Sequence, residues 1–177
     1  MTKKRLKLSI SAAVGGNLVP GLRRHLLAAS RLIKGCHLRE LSIALVGDAE
    51  MKRLHKQYLG INTTTDVLTF ELDHDARGRV IAGEVVVCVP QARRQARLLS
   101  PLSPQSSVLS THSSVLANEV LLLALHGMLH LSGFDDKTAR QFMAIHRAED
   151  RILSRLGIGP VFGATAKAKP KLRTDKQ

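Results

Sequence analysis

Residues 120–136 contain the feature that most constrains this chain: an apolar run that leads into two histidines. The run covers residues 120–125, and His126 and His130 follow it four residues apart. On an α-helix, positions i and i+4 lie on the same face, so both imidazoles can point at one metal ion. Two histidines at this spacing also occur as ordinary core or surface side chains, so the pair alone does not establish a metal site.

The residues after the second histidine strengthen the metal interpretation. Gly133 is typical of a helix end, because glycine readily adopts the left-handed conformation that stops a helix and turns the chain. Such a turn would bring Asp135 or Asp136 back toward the two imidazoles. Two histidines and one carboxylate make three protein ligands, which leaves a fourth position for water or substrate. The stretch therefore predicts a catalytic metal site on a helix and its exit turn.

Two other metal-enzyme classes fit this stretch poorly. Zinc peptidases of the H-E-x-x-H type carry a glutamate directly after the first histidine as the general base. Gly127 occupies that place here and has no side chain. An iron oxygenase with two histidines and one carboxylate is also disfavoured, because the expected ligands lie on a helix and its turn and no many-stranded β pattern is present.

The charge of the chain favours a polyanionic partner. Lysine and arginine outnumber aspartate and glutamate 27 to 14, which gives a formal net charge of +13. Such an excess binds nucleic acid through release of counterions, although a generally basic surface without a dedicated partner is the alternative. Aromatic residues make up only 3% of the chain, so an RNA strand would be held mostly through its phosphates.

The cysteine content and the apolar runs indicate a cytoplasmic protein without a membrane segment. Cys36 and Cys88 form no CxxC pair and no disulfide framework. No apolar run approaches the ~20 residues that span a bilayer. Near the N-terminus, Lys7, Ser9 and Ser11 alternate with apolar residues, which is typical of a strand rather than of a secretion signal.

The periodicity predicts a single α/β (α+β) domain, with a mixed sheet of about four strands covered by about five helices. Strand order and pairing sense do not follow from the pattern. Strands are predicted at residues 3–14, 38–46, 65–70 and 83–89. Helices are predicted at residues 20–34 and 49–59, from residue 90, from about residue 118 through the histidines, and at residues 138–156. Asp48 and Thr138 are the expected N-caps of the second and last helices.

Three segments of the chain resemble the YbeY family of metal-dependent endoribonucleases, also called rRNA maturation factors. The first is H-G-M-L-H-L-S-G-F-D at residues 126–135. The second, at residues 58–70, is similar to the family's tyrosine-arginine-glycine segment and the T-[DN]-V-L-S-F that follows it. The third comprises Gly83-Glu84-Val85 and Gln95-Ala96. The resemblance implies a YbeY-like domain over residues 1–160, with a Pro/Ser-rich insertion at 98–116 that is either a disordered surface loop or a mobile lid over the site. The basic, Ala/Lys/Pro-rich composition of residues 163–177 predicts a disordered tail.

The resemblance also implies an activity and its site. The expected function is single-strand endoribonucleolytic cleavage in the 3′ end maturation of small-subunit ribosomal RNA and in ribosome quality control. The expected partners are ribosomal RNA and the small ribosomal subunit, and the expected cofactor is one Zn²⁺ held by His126, His130 and Asp136. Glu119 matches a family glutamate. It lies about 10 Å along the helix from His126, too far to share the ion, so either a supporting or substrate-side role or a buried structural hydrogen bond is expected.

The chain departs from the family pattern at two positions. The usual third ligand is a histidine, and Asp136 occupies its place; its negative charge would weaken the metal as a Lewis acid. Leu59 replaces the family arginine that is thought to act in cleavage, and leucine cannot donate to a phosphate. Arg53, Lys56 and Arg79 are candidates to replace that charge. The alternative is a non-catalytic RNA- or ribosome-associated module with a structural or vestigial metal site.

Overall fold

The strand that contains the valine-rich stretch 83–88 lies inside the sheet, as its composition predicts. The computed structural model describes residues 5–99 and 108–161, and within them four strands form one mixed sheet. The order is β1-β2-β4-β3, in which β1, β2 and β4 are parallel and β3 is antiparallel to β4. The strands are β1 (Lys7–Ala12), β2 (Glu40–Val46), β3 (Val67–His74) and β4 (Val80–Cys88).

Five α-helices surround this sheet in the described residues, in agreement with the predicted number. They are α1 (Val19–Leu32), α2 (Asp48–Leu59), α3 (Val89–Leu99), α4 (Val108–His130) and α5 (Ala139–Arg155), and a 3₁₀ turn at Gly16–Leu18 precedes α1. Thr138 caps α5 as predicted, since its side chain accepts from the Gln141 backbone N–H and Gln141 bonds back to Thr138. Asp48 is not the cap of α2, because the helix begins at Asp48 and its N-cap is Gly47.

The two faces of the sheet bury different clusters, because successive side chains of a strand point to opposite faces. Val85 and Val87 of β4 face the larger core, which is shared with α1, α4 and α5. Val86 and Cys88 face a smaller cluster together with Met51 of α2. Helices α2 and α4 therefore lie on opposite faces of the sheet.

Helix α4 lies directly on the sheet at a glycine. A Cβ atom built on Gly127 would lie 2.6 Å from Val85 Cγ1 and 2.8 Å from Thr69 Oγ1, far closer than atoms normally pack. The absence of a side chain thus brings the helix backbone against β3 and β4. It also explains why no glutamate follows His126, because a side chain at that position would meet the sheet rather than a substrate.

Helix α4 begins earlier than the sequence pattern predicted. It starts at Val108, ten residues before the expected start near Asn118, so part of the predicted loop at 98–116 is helical. The serines of this stretch suggested a loop, but no proline or glycine lies between Pro104 and Gly127 to stop a helix. Residues 100–107 and the predicted tail at 163–177 lie outside the described residues. No helix in the described ranges is both long and apolar enough to cross a bilayer.

Candidate metal centre

His126 and His130 meet near the C-terminal end of α4. Their Nε2 atoms are 3.0 Å apart, and the ring centroids are 4.5 Å apart with the planes at 83°. Asp136 Oδ2 lies 4.0 Å from His126 Nε2. One ligand atom from each of these three residues lies within 4.8 Å of the other two, which is the geometry of a group able to hold a metal ion.

The exit turn of α4 selects Asp136 rather than Asp135. Gly133 has φ 92, and the Phe134 N–H donates to the Leu129 carbonyl at 3.1 Å, so the chain reverses at the end of the helix. Asp135 Oδ1 accepts from the Asp136 backbone N–H, and Oδ2 pairs with Lys137 at 3.1 Å. These two contacts, in that order, lower the pKa of Asp135. The sequence pattern allowed either Asp135 or Asp136 as the third ligand. In the structure, Asp136 is the one that faces the histidines.

The partners of the two imidazoles define their tautomers. His126 Nδ1 lies 2.7 Å from Glu149 Oε1, and His130 Nδ1 lies 3.1 Å from the Phe134 carbonyl oxygen. Both partners are acceptors, so each Nδ1 carries the proton. Each Nε2 of a neutral ring then presents a lone pair, and the two lone pairs face each other across 3.0 Å. Such an arrangement is favourable only when a cation, either a proton or a metal ion, lies between them.

The donor set fits a divalent metal. Histidine nitrogen and aspartate oxygen bind zinc at about 2.0–2.2 Å, which places tetrahedral ligand atoms about 3.3 Å from one another. The His126–His130 separation of 3.0 Å and the His126–Asp136 separation of 4.0 Å bracket that value. The carboxylate oxygen also suits harder cations such as Mn²⁺. The cluster therefore has the chemistry of a three-ligand site, without deciding between these metals.

Glu149 on α5 contacts the candidate site, and no motif in the sequence predicted this contact. Its side chain is 2% exposed, and its two oxygens accept from His126 Nδ1 at 2.7 Å and from His146 Nδ1 at 2.5 Å. Burial alone would raise the pKa of Glu149, but the hydrogen bonds from the two histidines outweigh it and lower the pKa. A signal was present in the sequence: Glu149 interrupts the apolar face of α5 formed by Ile145 and Ile152.

The same interaction acts on His126. Burial lowers the pKa of its imidazole, but the Glu149 hydrogen bond and charge, together with the charges of Asp136 and Asp66, raise it above the ordinary value. His126 therefore lies among negatively charged side chains, which favour a bound cation. His146 lies outside the three-residue group, and its ring contacts Phe142 with centroids 4.3 Å apart.

Glu119 lies two helical turns before His126 and is buried, with 7% of its surface exposed. Burial, and secondarily the charge of Asp66, raises the pKa of Glu119 to about 7. Asp66 precedes β3 and is held in place by Gln95 of α3, whose Nε2 donates to Asp66 Oδ2 at 3.0 Å. Glu119 is outside the candidate ligand group, and its role in the site stays a prediction.

The predicted RNA-contact residues have different surroundings. Arg53 pairs with Glu50 at 2.7 Å. Arg79 pairs with Asp75 at 2.6 Å. Lys56 is exposed, with no ion pair to any residue the structure describes.

Their placement separates them from the histidine pair. Arg53 and Lys56 lie on α2, on the face of the sheet opposite α4, and Arg79 lies in the β3–β4 connection. Within the described residues, no hydrogen bond or ion pair joins any of these three residues to His126. Their role in RNA binding remains a prediction.

The fold and the three-residue group define an α+β domain with a candidate metal centre on a helix and its exit turn. A family model described as Endoribonuclease YbeY matches residues 14–157. The chain therefore belongs to the YbeY family.

Similar proteins agree with this assignment. The chain is 32% identical over 154 residues to an Endoribonuclease YbeY of Moorella thermoacetica, which covers 82% of this chain and 90% of that protein. It is 34% identical over 159 residues to an Endoribonuclease YbeY of Aromatoleum aromaticum, which covers 86% and 90%. A protein from Thermotoga maritima with a known solution structure has a TM-score of 0.53 at 22% identity, covering 96% of this chain and 99% of that one; this similarity supports the fold.

Proposed function

We propose that this chain is a metal-dependent endoribonuclease that cleaves single-stranded RNA during 3′ end maturation of small-subunit ribosomal RNA. Membership of the YbeY family and the name of its relatives support cleavage within RNA chains. The observation that carries the metal dependence is the approach of His126 Nε2 to His130 Nε2, which are 3.0 Å apart and point at each other. Asp136 adds a negative charge beside that pair.

The proposed cofactor is one Zn²⁺, held by His126, His130 and Asp136. Such an ion, when bound, would polarise a phosphate oxygen and lower the pKa of a water molecule. The chain's own residues prepare the site: Glu149 holds His126 in the tautomer that directs Nε2 toward the ion, and the Phe134 carbonyl does the same for His130. Three protein ligands leave a position that a phosphate oxygen of the substrate can approach.

The charge and composition support the proposed partners and compartment. A net charge of +13 favours an RNA partner, and the small ribosomal subunit is the proposed source of that RNA. Cys36 and Cys88 are both free, which is compatible with the reducing cytoplasm as the proposed location.

Leu59 bears on how fast such an enzyme would cleave. It is the last residue of α2 and is 59% exposed, so an arginine would be accommodated there without burying a charge. Leucine cannot balance a phosphate charge, so cations elsewhere on the surface must carry this part of substrate binding. A Leu59→Arg variant is expected to cleave RNA faster than the natural chain.

Cleavage of a single-stranded ribosomal RNA fragment in the presence of Zn²⁺ or Mn²⁺ tests the proposal. The natural chain should cleave internally and His126→Ala should not. His74→Ala is the matched control, since His74 lies at the end of β3 and takes no part in the three-residue group. An inactive natural chain that still binds small-subunit RNA at physiological salt would contradict the proposal and favour the non-catalytic alternative.

A further inference from the structure

A cleft with a different character from the metal centre lies between the 3₁₀ turn, α3 and α4. Its volume is about 420 Å³. Its lining includes Asn17, Leu18, Arg93, Arg97, Val115 and Leu116. None of these residues belongs to the candidate metal group, and none of the described residues that line the cleft is acidic.

The charges of the two arginines in the cleft are not balanced by a carboxylate in the described residues. Arg93 and Arg97 lie one helical turn apart on α3, are exposed, and form no hydrogen bond or ion pair with the described part of the chain. This distinguishes them from Arg94 on the same helix, which pairs with Asp48 at 2.6 Å. Two guanidinium groups at this spacing, with no carboxylate beside them, form a local site of positive charge that favours a planar or tetrahedral oxyanion.

The remaining lining is suited to the rest of a nucleotide. Leu18, Val115 and Leu116 give the cleft an apolar side, against which a ribose or a base edge can pack. Asn17 carries an amide that can both donate and accept hydrogen bonds. Charge for a phosphate, apolar surface for a ribose and a polar amide occur together in this cleft.

The position of the cleft connects it to the metal centre. Val115 and His126 are eleven residues apart on α4, which corresponds to about 16 Å along the helix axis. Eleven residues are also close to three whole turns, so the two residues lie on nearly the same side of the helix. A single strand with one phosphate in the cleft can therefore reach the histidine pair within a few nucleotides.

We propose that the cleft binds a backbone phosphate of the RNA substrate, several nucleotides away from the bond that is cleaved. The inference rests on the proposed function, since it takes the metal centre as the place of cleavage. In this proposal, Arg93 and Arg97 bind the phosphate of the RNA strand. Arg53 and Arg79, by contrast, are already engaged by carboxylates.

A pair of double variants tests this assignment. Arg93→Gln with Arg97→Gln removes the two charges of the cleft. Arg147→Gln with Arg151→Gln is the matched control, because these arginines are also exposed, four residues apart on one helix, and unpaired within the described residues. The two double variants lose the same net charge, so they differ only in where the charge is lost.

Binding of a fluorescent single-stranded oligouridylate to the metal-free proteins is measured by anisotropy over a series of salt concentrations. For single strands the slope of log K against log salt is about −0.7 for each phosphate neutralised. The cleft variant should therefore bind more weakly, with a slope smaller in magnitude by about 0.7, because one phosphate contact is lost. The control variant should stay close to the natural chain. Equal losses in both variants would overturn the assignment and indicate bulk charge alone, and so would unchanged binding by the cleft variant.

Cleavage assays separate this inference from the proposed function. With metal present, the cleft variant should cleave a long oligonucleotide more slowly but a dinucleotide, which is too short to reach the cleft, at the natural rate. A natural chain that binds RNA through the cleft yet cleaves nothing would leave the inference standing and remove the proposed function. If the natural chain cleaves RNA and the cleft variant binds and cleaves it equally well, the proposed function would stand and the inference about the cleft would be wrong.

Discussion

Glu149 Oε1 lies 2.7 Å from Nδ1 of His126, and this contact joins two helices at the candidate metal centre. The carboxylate is almost completely buried, and its second oxygen accepts from His146. A buried carboxylate that lost these hydrogen bonds would be strongly destabilising, so the contact also favours the docking of α5 against α4. Fold stability and ligand orientation thus depend on the same side chain.

Replacing Glu149 should weaken metal binding without removing any ligand. Glu149→Gln keeps the shape of the side chain but removes the charge that makes His126 a strong donor. We expect the affinity for Zn²⁺ to fall about 10- to 100-fold. Competition with a chromophoric chelator measures it. His146→Gln is the control, since it leaves the Glu149–His126 contact in place and should have a smaller effect; equal affinity of Glu149→Gln and the natural chain would contradict the role.

The two neighbouring aspartates should differ in metal content. Asp136→Ala removes an oxygen that lies 4.0 Å from His126 Nε2, so the purified protein should hold clearly less than one metal ion per chain. Asp135→Ala, whose carboxylate pairs with Lys137, should keep the natural content. Asp136→His should also retain metal, because imidazole nitrogen binds zinc at a similar distance. Elemental analysis checks all three, and a larger loss in Asp135→Ala would reverse the ligand assignment.

Adding one methyl group at Gly127 should destabilise the fold. The new Cβ would lie 2.6 Å from Val85 Cγ1, which forces α4 away from the sheet. We expect Gly127→Ala to lower the free energy of unfolding by about 1–3 kcal/mol, as overpacking does in other cores. Urea unfolding followed by circular dichroism measures the change.

Two further variants make the Gly127 prediction specific. Val85→Ala in the Gly127→Ala background removes the two Val85 methyl groups that lie within 2.8 Å of the new Cβ, so the double variant should lose less stability than the two single losses added together. Gly21→Ala in α1, where a Cβ would meet nothing within 4 Å, should be neutral or stabilising. Strict additivity of Gly127→Ala and Val85→Ala would show that the contact is not the cause.

Glu119 should make stability depend on pH. Its pKa is raised from an ordinary value of 4.5 to about 7, so the folded chain holds this proton more tightly than the unfolded chain does. The contribution of protonated Glu119 is fully present below pH 4.5 and is lost as the pH rises to about 7. Glu119→Gln, which stays neutral, should therefore match the natural chain near pH 4 and exceed its stability near pH 8.

The expected difference for Glu119→Gln at pH 8 is on the order of 2 kcal/mol, since a tenfold change in proton affinity corresponds to about 1.4 kcal/mol and residual solvent contact reduces the full value. Chemical unfolding at both pH values measures it. Asp66→Asn should shift the pH window downward, because the charge of Asp66 contributes to the raised pKa of Glu119. A difference that does not vary with pH would contradict the prediction.

Some features of the candidate site follow from local sequence alone. His126 and His130 share a helix face because the helical repeat places residues four apart on one side, and Gly133 ends that helix because it adopts a left-handed conformation. The capping box at Thr138 is equally local. Each of these depends on contacts within a few residues, so their spacing in the sequence was sufficient to predict them.

Helix boundaries were predicted less well, for a reason that is also physical. Serine and threonine favour loops and caps only weakly, and the packing of a helix on the rest of the fold can override that preference. Helix α4 accordingly extends back to Val108 through a serine-rich stretch that suggested a loop. Aspartate is a residue type typical of N-caps, but Asp48 instead pairs with Arg94, which is 46 residues away.

The sequence by itself determined the kind of fold, the two histidines and the turn that follows them, because hydrogen bonds and turns between near neighbours leave a periodic pattern. Only the tertiary structure decided the order of the strands, the choice of Asp136 over Asp135, the contact of Glu149 with a histidine 23 residues earlier, and the cleft between Arg97 and Val115. These features arise where elements far apart in the chain pack together. Such packing is selected by shape and charge in three dimensions, and no spacing along one segment records it.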